Sequence, residues 1–203
     1  MALRDIIQPT IGVFTSLGTA HQENFSSIED KCNEKIKLFH DTEAIVYPAD
    51  EEVITRCLAP YDYKGKKLDW SVKQQQAAFY VTSIEKKDIA TTVSYMWQGE
   101  TKGQYILPFI DDASIENSIT CAVVSLHLGI TPAERMAQLE PVAMRLEVKE
   151  GQHGCTLIND SYNSDFNSLD IALDFMNRRP DHKGRKRTLV LSDILQSGDT
   201  DKD

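Results

Sequence analysis

No run of apolar residues in this sequence approaches the ~18 that a membrane-spanning helix requires, and the amino terminus lacks the basic, apolar, small-residue succession of a secretory signal. A cytoplasmic chain with no membrane partner is expected. Positive charge is also scarce: 22 Lys plus Arg stand against 31 Asp plus Glu, a formal net charge of -9. Such a surface repels a phosphate backbone, which argues against nucleic acid as a partner. The one basic cluster, Arg178 and Arg179 through Lys183, Arg185, Lys186 and Arg187, has no interleaved aromatic residues and reads as a solvated loop. Cysteine is sparse. Cys32, Cys57, Cys121 and Cys155 show neither metal-ligand nor redox spacing and each has apolar neighbours, so four reduced core residues are expected. Also missing is Gly-x-x-x-x-Gly-Lys-[Ser/Thr], the loop whose backbone N–H groups cradle the phosphates of ATP. The only Gly-Lys pair is Gly65-Lys66, with no glycine five residues before Gly65.

What the chain does have is 203 residues with 41% hydrophobic content, enough for one large domain or two small ones with a real core. Residues 2–8 read as the end of a helix closed by Pro9, and residues 11–15 as a strand. A Gly-containing turn with a polar tip follows, and Ser26 with Glu29 three residues on predicts a capping box opening a helix. That helix carries an apolar stripe at Ile28, Cys32, Ile36 and Phe39, with Lys31 and Lys35 beside it. Residues 44–47 predict a second strand and 51–58 a second helix, the repeated step of an α/β sheet. Residues 61–76 look polar and irregular. Three strands rich in β-branched and aromatic residues are then expected over 77–84, 90–97 and 104–110, an antiparallel extension at the sheet edge. Asp111-Asp112 caps a helix over about 114–128, Gly129 ends it, and Thr131-Pro132 starts another. Past Pro141 the character changes again. Strands at 145–149 and 155–159 flank a turn, a helix covers 168–176, and a strand at 188–191 ends in Ser192-Asp193, so a domain boundary is expected at about 140–144.

In an open α/β sheet, ligands lie beyond the carboxyl ends of the strands, which puts His21 and Glu23 where chemistry is usually done. The stretch from Gly18 onward resembles the central-domain signature of the Mur ligases, the ATP-dependent amide ligases of peptidoglycan synthesis. Their branch that adds D-Ala-D-Ala reads roughly Gly-Pro-Ala-His-Leu-Glu-x-Phe-x-Ser-Leu-Glu and continues to Ala-Lys. Gly18, Ala20, His21, Glu23, Phe25, Ser27, Glu29 and Lys35 fall in register with it. Residues 141–146 are similar to the Pro-x-x-Gly-Arg-x that opens the family's carboxy-terminal domain. Asn159-Asp160-Ser161-Tyr162-Asn163 resembles the Asp-Asp-Ser-Tyr-Asn signature of the same branch, and residues 189–198 its Val-Leu-Gly-Asp-Met-Leu-Glu-Leu-Gly. Asn117 matches the last asparagine of its His-Asn-x-x-Asn segment. The chain departs from these patterns at Thr19, Met144, Phe166 and Ser192, and Ala113-Ser114 replace the His-Asn pair.

The resemblance implies an α/β protein: a partial central domain over 1–142, its sheet edged by antiparallel strands, then a partial Rossmann-like domain over 143–203. It also implies a fragment, since the phosphate loop is missing. Its cofactors would be ATP and Mg²⁺, and its substrates, in a full-length parent, UDP-N-acetylmuramoyl-tripeptide and D-Ala-D-Ala. By the same resemblance His21 is a metal ligand and Lys35 the lysine whose side chain becomes a carbamate, both counted with Arg145 as catalytic. Arg145 would reach the γ-phosphate, Asn117 the adenine, Asp160 the ribose, and Asn163 the nucleotide. Other readings stay open: a different Mur-type or folylpolyglutamate-synthetase-type ligase, or a non-catalytic nucleotide-binding module.

Overall fold

A computed structural model describes residues 2–18, 25–87, 89–140, 146–161, 166–178 and 186–191. They fall into two compact units, one holding residues 2–18 and 25–139, the other the residues from 140 on. The first is a mixed α/β unit. Its elements run α1 (Ala2–Ile7), β1 (Ile11–Val13), α2 (Ile28–Ile36) with a 3-10 turn at Lys37–Phe39, β2 (Ala44–Pro48), α3 (Glu52–Leu58) and β3 (Lys66–Ser71). There follow β4 (Phe79–Lys87), β5 (Ala90–Trp97), β6 (Thr101–Leu107), α4 (Asp112–His127) and α5 (Ala133–Met136).

All six strands join one sheet in the order β1-β2-β3-β4-β5-β6. β1 to β4 are parallel, with Ile11 beside Ala44 and Ala44 beside Lys66, whereas β4, β5 and β6 are antiparallel neighbours. The antiparallel edge is therefore present as expected. β3 is not: its residues lie in the stretch read as irregular. Only Leu68 and Trp70 of Lys66-Lys67-Leu68-Asp69-Trp70-Ser71 are strongly apolar, and these two alternate positions are the ones turned into the core, 3% and 4% exposed.

β2 shows what holds the unit together. Every one of its residues is buried, as a parallel strand covered on both faces requires. Ala44 and Val46 belong to a cluster with Leu68, Phe79, Val93, Tyr105 and the inner face of α4 (Ile115, Ile119, Ala122, Val123). Ile45 and Tyr47, pointing the other way, join Phe14, Cys32, Ile36, Ile54, Cys57 and Leu58 of the α2 and α3 layer. Two of the four cysteines are thus core residues. Cys121 and Cys155 are exposed instead: Cys121 falls on the outer side of α4, and Cys155 in a tight turn that buries none of its residues.

In the second unit β7 (Glu147–Glu150) and β8 (Thr156–Asn159) form an antiparallel pair, and α6 spans Phe166–Arg178. The expected strand at 188–191 is absent. Those residues have no regular structure, and Leu189, Val190 and Leu191 are 52%, 90% and 53% exposed. An apolar run becomes a strand only where a ladder receives it, and among the described residues the β7-β8 pair takes no third member. The notion of a hinge at 141–144 lies outside the described residues.

Candidate functional site at the carboxyl ends of the parallel strands

The loops that leave β1, β2 and β3 lie on one side of the sheet and are tied together by short polar contacts. The Phe14 N–H donates to Val46 O at 2.8 Å and extends the β1-β2 ladder by one residue. Asp50, just past β2, accepts from Ser71 Oγ at 2.6 Å and from the Val72 N–H at 2.7 Å, and Ser71 Oγ in turn accepts from the N–H groups of Lys73 and Gln74. A two-residue stretch after one strand thereby fixes the turn after its neighbour.

α2 starts one residue later than the sequence suggests. Ser27, extended at φ -153 and ψ 167, accepts from the Asp30 N–H at 3.0 Å. Ser26 lies outside the cap, so Glu29 is no longer three residues from it and instead pairs with Arg56 of α3 at 2.5 Å. The helix then places Cys32 and Ile36 fully in the core. Lys35 is half-buried beside them, its Nζ 5.9 Å from the centre of the Phe14 ring, a distance at which a cation is attracted by the ring face.

Two acidic residues that the sequence reading passed over share this corner. Glu51 follows Asp50, and burial raises its carboxyl above the ordinary carboxylate range, partly offset by the Leu17 backbone. Glu116, on the second turn of α4, is raised by desolvation first and then by the charges of Glu51 and Asp112. Glu51 and Lys35 also both act on the Cys32 thiol, which burial and the neighbouring Cys57 thiol push up to about 12. The signal that could have revealed Glu51 was its position immediately after a fully buried strand. Glu116 carried none, since its approach to Glu51 depends on how α4 crosses the sheet.

Of the residues singled out from sequence, Lys35 stands at this corner and Asn117 is exposed on α4 next to Glu116. Asp160 belongs to the second unit, where its Oδ1 accepts from the Leu146 N–H at 3.1 Å. Leu146 has a left-handed backbone at φ 46, so the carboxylate steadies a strained strand entry. His21, Glu23, Arg145 and Asn163 lie outside the described residues. Hard oxygen donors suited to Mg²⁺ are present in Glu51 and Glu116, but no three His, Cys, Asp or Glu side chains come together as a metal site among the described residues. No helix among them is long and apolar enough to cross a membrane.

The sequence profile of the Mur ligase middle domain matches residues 1–125. The chain belongs to the Mur ligase family. UDP-N-acetylmuramoyl-tripeptide--D-alanyl-D-alanine ligase of Bacillus subtilis is 22% identical over 209 residues, a match covering 98% of this chain and 43% of that protein. Among solved structures, MurF from Acinetobacter baumannii superposes with a TM-score of 0.73 at 16% identity, covering 87% of this chain and 39% of that one. The MurF ligase from Thermotoga maritima, solved in complex with ADP, gives 0.71 at 18% identity, with 88% and 41% covered. This Mur ligase chain therefore spans about two fifths of the length of these relatives, and the mixed sheet with antiparallel strands is the fold it shares with them.

Proposed function

We propose that this chain contributes the metal-facing and part of the nucleotide-facing portion of an ATP-dependent ligase that joins D-Ala-D-Ala to UDP-N-acetylmuramoyl-tripeptide in peptidoglycan synthesis. In this reading residues 1–142 are the latter part of the family's central domain and residues 143–203 the first part of its carboxy-terminal domain. The observation that carries it is the place of Lys35: half-buried against Phe14 at the carboxyl ends of parallel strands, in a segment that matches the family's middle domain. Lys35 as a carbamate, together with His21, would hold Mg²⁺. An ammonium there would oppose a cation, whereas a carbamate offers two hard oxygens. Asn117 on its exposed turn would meet the adenine, with Asn163 and Asp160 on the remainder of the nucleotide. Asp160 already gives one oxygen to Leu146, so the ribose would take the other. Arg145 would face the γ-phosphate and stabilise charge there. Bound ATP with Mg²⁺ supplies the phosphoryl group that turns the acceptor carboxylate into an acyl phosphate for attack by the D-Ala-D-Ala amine.

The test is a single polypeptide in which this chain replaces the matching 43% of the Bacillus subtilis relative, so that the missing phosphate loop is supplied. It should release phosphate from ATP only when the UDP-muramoyl tripeptide and D-Ala-D-Ala are both present. Activity with glutamate or L-alanine in place of the dipeptide would move the assignment to another amide ligase. A folded chimera that binds ADP and turns nothing over would favour a non-catalytic nucleotide-binding module. The 203-residue chain alone should bind Mg-ATP weakly by calorimetry, and sub-micromolar affinity would show that its phosphate site needs no such loop.

A further inference from the structure

The turn that leaves β3 is built more heavily than an exposed connection requires. Ser71 is fully buried, and its hydroxyl spends all its hydrogen-bonding capacity: it donates to Asp50 Oδ1 at 2.6 Å and accepts the N–H groups of Lys73 at 2.9 Å and Gln74 at 2.7 Å. With both lone pairs taken, its proton needs an acceptor, and the Asp50 carboxylate is that group. The second Asp50 oxygen takes the Val72 N–H at 2.7 Å, a charged partner for a backbone donor and the stronger kind of hydrogen bond. Gln74 completes the frame by donating its side-chain amide to the Ala49 carbonyl at 3.3 Å. Every backbone N–H from Val72 to Gln74 is thus used inside the turn, so an incoming anion can be met there only by a side chain.

Lys73 is the cation that the turn presents. It is exposed, it follows the carboxyl end of a parallel strand, and it enters no ion pair among the described residues. Arg56, Lys86 and Lys31, also toward this end of the sheet, are committed to Glu29, to Asp112 and to the Gly18 carbonyl. Asp50, Glu51, Glu52, Asp112 and Glu116 make the same end acidic, a field that opposes an anionic ligand.

We propose that Lys73 is a binding residue for a phosphate group, carried by ATP or by the UDP-muramoyl peptide, and that Asp50 and Ser71 are positioning residues that hold it in place. A phosphate entering among these carboxylates needs a cation beside it, and a lysine whose backbone is already fixed gives up little more than side-chain freedom on binding. The motifs that carry the family resemblance leave this turn uncovered. Which substrate Lys73 meets rests on the ligase reading above; the built turn does not.

The test has two arms. In the 203-residue chain, amide signals are followed by NMR as ADP with Mg²⁺, or UDP, is added at millimolar concentration. One of the two should shift Val72 and Lys73 saturably; Lys73→Met should abolish the shift and Lys73→Arg keep it. In the chimera, Lys73→Met should raise the KM of the matching substrate, ATP or the UDP-muramoyl tripeptide, by ~5-fold or more with kcat within about twofold, the signature of lost ground-state binding. Asp50→Asn and Ser71→Ala should raise the same KM, and should speed amide exchange at 72–74 by at least ~10-fold while β2 keeps its protection. No shift with either nucleotide, a shift that survives Lys73→Met, or a KM that moves only for D-Ala-D-Ala overturns the phosphate contact. Unchanged exchange at 72–74, equal loss across β2, or an unmoved KM in the Asp50 and Ser71 variants overturns the positioning role. An inactive wild-type chimera counts against the ligase reading, and the nucleotide titration of the 203-residue chain then decides the contact by itself.

Discussion

Lys31 and Lys35 stand four residues apart on one helix, and their surroundings give them different uses. Lys31 donates to the Gly18 carbonyl; Lys35 keeps its head over Phe14 and, like Glu51, close enough to Cys32 to act on its thiol. In the chimera, Lys35→Ala should lose most of the ligase turnover with little change in the KM values, and short carboxylic acids should restore part of it by standing in for a carbamate. Near-normal turnover without Lys35 would reduce it to a helix lysine lying along the core. Glu116 yields a prediction about pH. As a residue it is exposed, but its carboxyl loses enough water and faces enough like charge to be held above its ordinary 4.5. The folded state then binds the proton more readily than the unfolded chain, so this stability is complete below 4.5 and is lost as pH rises through the folded value. Glu116→Gln should therefore raise the thermal midpoint at neutral pH, with the gain shrinking as pH falls through the folded value and gone below 4.5. At this scale Lys35 was legible because it lies beside an apolar stripe and in register with a family motif. Glu51 and Glu116 were not, because what perturbs them is burial, and for Glu116 then the charges of Glu51 and Asp112, which only the packing of the elements sets.

Helix starts were readable to within two residues because caps are local. Asp111 accepts from the Ser114 N–H at 2.8 Å, as its place before an apolar run predicts, and Gly129 closes α4 with φ 75. Ser27 took the cap from Ser26 for an equally local reason, its extended backbone. Ser27→Ala should cost about 1 kcal/mol in denaturant unfolding while Ser26→Ala costs a few tenths at most. Strands were harder to read. β3 hides two core residues among charged ones, and the run at 188–191 has the composition of a strand with no ladder to join. Pairing across the antiparallel edge also has a requirement that no propensity scale shows. Gly103 faces Tyr95 directly, and a Cβ built on it would lie 2.3 Å from the tyrosine oxygen. Tyr95 cannot yield easily, since it is 4% exposed and stacked on Phe79 with centroids 4.6 Å apart. Gly103→Ala should destabilise the first unit by roughly 1–3 kcal/mol, read from urea unfolding followed by tryptophan fluorescence. Tyr95→Leu in the same chain should relieve part of that loss.

On the scale of the molecule, both hydrophobic clusters belong to the first unit, where β2 is sealed on its two faces. None of the second-unit residues whose burial is described is buried; Val148 and Leu157 of the β7-β8 pair are 37% and 52% exposed. A two-stranded ribbon is marginal in water unless something covers a face, and a helix of 13 residues such as α6 is near the lower limit of independent stability. Local opening should therefore be far easier in the second unit than in the first, because opening free energy follows the apolar area that must be exposed. Amide exchange of the intact chain should show it directly. Residues 147–159 and 166–178 should exchange at least ~100-fold faster than the central residues of β2, β4 and β5. The slowest amides should be those of Ile45, Val46 and Val93, whose side chains are fully buried. Adding ADP with Mg²⁺ should slow exchange at 146–160 if Asp160 takes part in nucleotide binding, by an amount that grows with ligand concentration as mass action requires. Protection in β7 and β8 equal to that of β2 without ligand would mean that the second unit has a core of its own, and the stability gradient drawn from burial would be wrong.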